Sequence, residues 1–85
     1  AFRRQPPIAR GWLLSILNWG PISGQLVRES MLSNEPMVEI GILLNVYNSR
    51  SSISEQQDEA LGKLINSDDK TVSIAATAIL GIIND

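Results

Sequence analysis

The stretch Ser33-Asn34-Glu35-Pro36-Met37-Val38-Glu39-Ile40-Gly41 is echoed by Ser67-Asp68-Asp69-Lys70-Thr71-Val72-Ser73-Ile74-Ala75, at an offset of 34 residues. Ser, Val and Ile recur in place, Asn and Glu each face Asp, and small Gly faces small Ala. A fixed period of about 20–50 residues is the signature of stacked helical units, none of which buries its apolar face alone. Such stacks serve mainly as binding surfaces, and the echo points to an object of that kind.

Outward from the first copy, Asn34 is the expected cap, and Pro36 the first turn, of a helix over about 35–47. It is apolar nearly all round, broken only by Glu39, Gly41 and Asn45. A helix packed on several sides reads this way, which places it at the centre of the domain. In the second copy Asp68 is the expected cap, with Asp69 in a first turn that the helix dipole favours. Val72, Ala75, Ala76, Ile79, Leu80 and Ile83 then make one apolar stripe on a helix over about 69–84. Between the copies, Ser52 with Glu55 reads as the capping box of a helix over about 53–66.

Nearer the front, Ile8, Trp12, Leu13, Ile16 and Leu17 recur at helical spacing over about 8–19, and Gly20-Pro21 stops them. Pro21 suits the first turn of a further helix over about 21–32, with Ile22, Leu26, Val27 and Met31 as its stripe. Residues 1–6 read as an extended basic arm, because a residue before proline is pushed out of the helical region. No strand pattern appears. The expected fold is an all-α domain over 7–85, with about five helices joined by short connections as antiparallel hairpins. Helices two and three form one pair, four and five the next. The pairs stack as a short solenoid or close into a compact bundle.

At 85 residues with 44% apolar content the chain is one small domain. It has no Cys, so no disulfide assists the core, and no His, which removes the commonest general base and metal ligand. The lack of Cys and of a signal-like apolar run favours an intracellular setting. No run reaches the roughly 18 apolar residues of a membrane span. The net charge of −2 divides unevenly: residues 1–28 carry Arg3, Arg4, Arg10 and Arg28 with no acid, and residues 29–85 carry nine acids against Arg50, Lys63 and Lys70. A basic front on an acidic body is a pattern of nucleic-acid or membrane contact, and also of plain solvated charge.

The run Leu61-Gly62-Lys63-Leu64-Ile65-Asn66-Ser67-Asp68-Asp69-Lys70-Thr71-Val72-Ser73-Ile74-Ala75-Ala76-Thr77-Ala78-Ile79-Leu80-Gly81-Ile82-Ile83 resembles a HEAT-type helical repeat, of the HEAT/armadillo kind. The likeness lies in an apolar helix, a short acidic turn, a Val, an Ala pair and a Leu-Gly before a last aliphatic residue. It is best over 60–83, partial over 26–47 and poor over 1–25. The resemblance implies stacked helix pairs and a binding or scaffold role. Two departures stand out: Ser73 and Glu39 occupy the place of a basic residue after the turn's Val, and the period is shorter than the usual 40–47 or so. The tetratricopeptide and ankyrin patterns are absent.

Chemistry is mostly excluded. Gly62-Lys63 lacks the upstream Gly and following Ser or Thr of a phosphate loop, since Gln57 and Leu64 stand there. Glu55, Asp58 and Glu59 share a helix face but read as solvated charge, and Asp68-Asp69 lacks the alternating oxygens of a calcium loop. Serines without an imidazole are not activated nucleophiles. No catalytic, cofactor or metal site is expected, and the chain is not expected to be an enzyme. As a helix-turn-helix, the last helix offers only Ser73 and Thr77 to base edges, among acidic neighbours, so nucleic acid is disfavoured.

The expected function is a protein-interaction or assembly module, as a unit of a larger helical-repeat assembly. Its partner-binding residues are Ile74, Ala78 and Ile82, a second apolar row off the main stripe of the last helix. Repeat arrays close with polar-faced end units, and this row is not polar, so another copy or a further unit is expected to cover it. The alternative is peripheral membrane or nucleic-acid contact through Arg3, Arg4 and Arg10, with Trp12 and Trp19 seated at a headgroup layer.

Overall fold

The computed structural model describes residues 2–84, without the side chains of residues 21 and 22. A 3-10 turn, Phe2–Arg4, precedes five helices: α1 Pro7–Ile16, α2 Pro21–Met31, α3 Pro36–Asn48, α4 Glu55–Leu64 and α5 Lys70–Asn84. There is no strand among the described residues, and the domain is all-α. Three helices begin on proline, where the missing N–H costs nothing. Ile22, expected on the stripe of α2, lies outside the described side chains.

The central helix is α3, which touches each of the other four. Its tightest neighbour is α1, which runs parallel to it. Arg10 meets Glu35, Gly11 meets Met37 and Val38, and the end of α1 meets Asn45. The contact is made by glycine. A Cβ on Gly41 would meet the backbone of Gly11 at 2.5 Å from its Cα, and a Cβ on Gly11 would meet the carbonyl of Met37. The helix backbones therefore touch, closer than the usual 8–10 Å between axes allows.

This contact overturns the expected face of the first helix. Ile8, Trp12, Leu13 and Ile16 are exposed, and the buried residues are Gly11 and Leu14. A backbone seated on glycine turns its flank of large side chains outward. The helix also ends three residues early, at Ile16 rather than Trp19. Asn45 Nδ2 donates to the carbonyls of Leu14 at 3.0 Å and Leu17 at 2.7 Å, capping α1 from α3. Asn45 Oδ1 accepts from Gln57 Nε2 at 2.9 Å, so the same side chain anchors α4.

Four termini shift for local reasons. Asn34 does not cap α3; it takes φ 54°, a left-handed conformation that Asn tolerates, and Glu35 is the N-cap. The capping box of α4 is Ser54 with Gln57, not Ser52 with Glu55. Asp69 rather than Asp68 caps α5, its Oδ1 accepting from Val72 N–H at 3.0 Å. The front arm is not extended: Phe2 packs on the core and Arg3 reaches Glu29 on α2.

The core joins Leu14, Val27, Val38, Ile42, Leu43, Val46, Leu61, Leu64, Val72 and Ala76. Each larger aliphatic side chain contributes about 1.5–3 kcal/mol by leaving water. The molecule is a slab of 38 × 27 × 16 Å. Two helix layers about 8–10 Å apart, each adding a backbone radius of about 2.3 Å, make up most of that thinnest dimension. One layer holds α1, α3 and α5; the other holds α2 and α4, which meet where Gly24 faces Gln56.

Gly41→Ala is expected to lower the unfolding free energy by at least the ~1–3 kcal/mol of overpacking, because a carbonyl cannot move as a side chain can. Gly62→Ala and Gly81→Ala, whose Cβ meets nothing within 4 Å, are expected to raise it by ~0.5–1 kcal/mol. Urea melts measure all three. A neutral Gly41→Ala would contradict the backbone contact.

Candidate functional site

On α3, Met37, Leu44 and Tyr47 are exposed and Ile40 half-buried, at spacings of three, four and three. They form one row on the side that α1, α2, α4 and α5 leave uncovered. On α1, Leu14 points into the core, and Trp12 with Ile8 and Ile16 lies on the opposite flank. On α5, Ser73 Oγ donates to the Ile65 carbonyl at the end of α4. Ala78 and Ile82 lie on the flank turned away from it, and Ile74 continues their row. Three apolar rows on three neighbouring helices thus make one outward face. The predicted row Ile74, Ala78 and Ile82 is exposed and is one edge of this face.

Charge is segregated to match. Helices α1, α3 and α5 carry one charged residue each, namely Arg10, Glu39 and Lys70. None lies on the outward rows: Arg10 is paired with Glu35 at 2.6 Å, Glu39 is buried and Lys70 opens α5. The two helices of the other layer carry Arg28, Glu29, Glu55, Asp58, Glu59 and Lys63. The slab is two-faced, one side charged and the other apolar. Arg50 marks the rim, its guanidinium 4.3 Å from the Tyr47 ring centroid.

Two of the four arginines of the basic front are engaged within the molecule. Arg3 pairs with Glu29 at 2.5 Å, and Arg10 pairs with Glu35 while its Nε donates to the Gln5 carbonyl. Arg4 makes no ion pair among the described residues. The hydrogen bond from Arg10 holds the Glu35 carboxyl below its ordinary value. Of the predicted arginines, Arg3 and Arg10 line one small pocket with Phe2, Glu29 and Ser33, each already paired with a carboxylate, and Arg4 does not join them. Trp19, half-buried against the core, stands apart from exposed Trp12. Among the described residues no group of three or more acidic, His or Cys side chains is placed to hold a metal ion. Likewise no helix among them is long and apolar enough to cross a membrane.

Of the three rows, sequence reading placed Ile74, Ala78 and Ile82 on the outside. The row on α3 was missed because that helix was assigned to the centre, and on α1 only Trp12 was weighed as a surface residue, toward a lipid headgroup layer. The signal was the near absence of charge from α1 and α3, read as depth when it also marks a face.

Comparison with known protein families, with curated proteins and with solved structures finds no match to this chain.

Glu39 is the one buried carboxyl in the apolar layer, with Ser67 Oγ at 3.4 Å as its hydrogen-bond partner. Burial raises its pKa, and Asp69 and Asp68 add to the rise against the bond from Ser67. The folded chain thus binds this proton more tightly than the unfolded chain, and the ionised group weakens the fold above its folded pKa. Relief comes as pH falls through that value toward the ordinary 4.5. Glu39→Gln is expected to melt higher than wild type at neutral pH, the gap closing in acid. Thermal melts at the two pH values check this, and a lower melt at neutral pH would contradict it.

Proposed function

We propose that this domain is a non-enzymatic protein-interaction or assembly module that works through the outward face of α1, α3 and α5. The observation that carries the reading is the charge-free apolar surface spanning three helices. The side chains Ile8, Trp12, Ile16, Met37, Leu44, Tyr47, Ile74 and Ile82 are all exposed on it, and an extended apolar patch of this kind marks an interaction site. An interface core is likewise depleted of charge and enriched in aromatic residues and Met.

A HEAT-like unit of a larger assembly is the architecture that best suits this reading. Its support is the 34-residue echo, together with the parallel run of α1 beside α3. In such a stack α1 is the second helix of an earlier pair. The membrane alternative draws on Trp12 and Ile16, but an interfacial face is ordinarily rimmed by Lys and Arg. Here Arg3 and Arg10 are held in ion pairs and the chain is net acidic.

Ile74→Lys with Ile82→Lys is expected to leave far-UV circular dichroism and melting temperature within a few degrees of wild type, because both side chains face outward. The same pair of changes is expected to abolish protein association in sedimentation. Wild-type tryptophan emission is expected to stay unchanged with anionic phosphatidylserine vesicles. A salt-reversible blue shift would replace this reading with the membrane one. A large drop in melting temperature in the double variant would make the row part of the core.

A further inference from the structure

Resting on that reading, we infer that the occupant of the outward face is the same face of a second copy, in a twofold-symmetric dimer. Three observations support one occupant over others. First, the rows themselves carry no charged residue, and the charge beside them, Arg50, is stacked on the Tyr47 ring at the end of α3, so a copy laid against itself meets like-charge opposition only at that end. Second, the broad side of the 38 × 27 × 16 Å slab, on which the eight exposed side chains lie, is large enough for the ~800 Å² that each partner gives to a standard interface.

Third, the face is uneven in a self-complementary way. The α1 edge carries Trp12, Ile8 and Ile16, and the α5 edge carries exposed Ile74 and Ile82 with small Ala78 between them and Gly81 beside it. A twofold axis lying along α3 brings the α1 row of each copy over the α5 row of the other, Trp12 toward the small residues. Leu44, half exposed at the middle of the central helix, then sits near the axis. The charged layers face water on both sides of the dimer, which keeps two chains of net charge −2 apart where repulsion would count.

Sedimentation equilibrium of the full chain from micromolar to millimolar concentration tests the inference. The expected mass is twice the 9.3 kDa of one chain at the upper end and approaches 9.3 kDa on dilution. Trp12 emission is expected to shift to the red as the dimer separates. Leu44→Lys is expected to remain monomeric throughout, with wild-type circular dichroism; Ile74→Lys with Ile82→Lys serves if Leu44→Lys does not fold. Folded variants that still dimerise would overturn the inference, because the dimer then uses another surface.

A wild-type chain monomeric at every concentration would overturn it too, and anilinonaphthalene sulfonate then separates the two readings. Dye bound by the monomer and lost in Leu44→Lys leaves the interaction module standing, with a different protein as its occupant. A monomer that binds no dye removes the module as well as the dimer.

Discussion

The contact of Gly11 with Gly41 is the constraint on which the rest of the structure depends. Two helices whose backbones touch have no room between them for side chains, so the larger residues of α1 must go elsewhere. Leu14 goes inward to the core, and Ile8, Trp12 and Ile16 go outward. The same contact fixes the register of α1 along α3. It brings Arg10 to Glu35 at one end and the carbonyls of Leu14 and Leu17 to Asn45 at the other. Asn45 then passes the alignment on to α4 through Gln57. A glycine pair and one amide thereby determine how three helices meet.

The functional reading follows from where this packing leaves the apolar surface. A small domain buries only part of what it could, and exposed apolar atoms are ordinary when scattered. Here eight of the ten large exposed side chains among the described residues share one face, with Leu13 and Leu32 apart from it. One layer takes most of the helical charge, and the three charged residues of the other, Arg10, Glu39 and Lys70, lie off its outward rows. Solvation explains the charged layer without further assumption. Single exposed hydrophobes do not explain the other layer, where eight large side chains lie on three adjoining helices.

How much of this was legible depended on whether the deciding contact was local. The existence of all five helices was legible, because prolines, caps and apolar spacing act within a few residues. The central place of α3 was legible from its apolar circumference, and the exposure of Ile74, Ala78 and Ile82 from the complete stripe on the other side of α5. The face of α1 was not legible. It is apolar on both sides, and only Gly41, thirty residues away, selects Gly11 over Trp12. The early end of α1 depends likewise on Asn45. At the start of α4, Ser52 with Glu55 and Ser54 with Gln57 both satisfy the capping pattern. In the second pair Gln57 also reaches the Asn45 amide, which ties that cap to the core.

The most direct test of this account is a nuclear Overhauser measurement between the α-protons of Gly11 and Gly41 in the intact chain. The account predicts a strong cross-peak there, together with weak or absent peaks from the Trp12 indole to the methyls of Ile42 and Val46 in the core. The reverse pattern, with Trp12 against those methyls and no glycine cross-peak, would show α1 packed on its bulky side and would remove the apolar face.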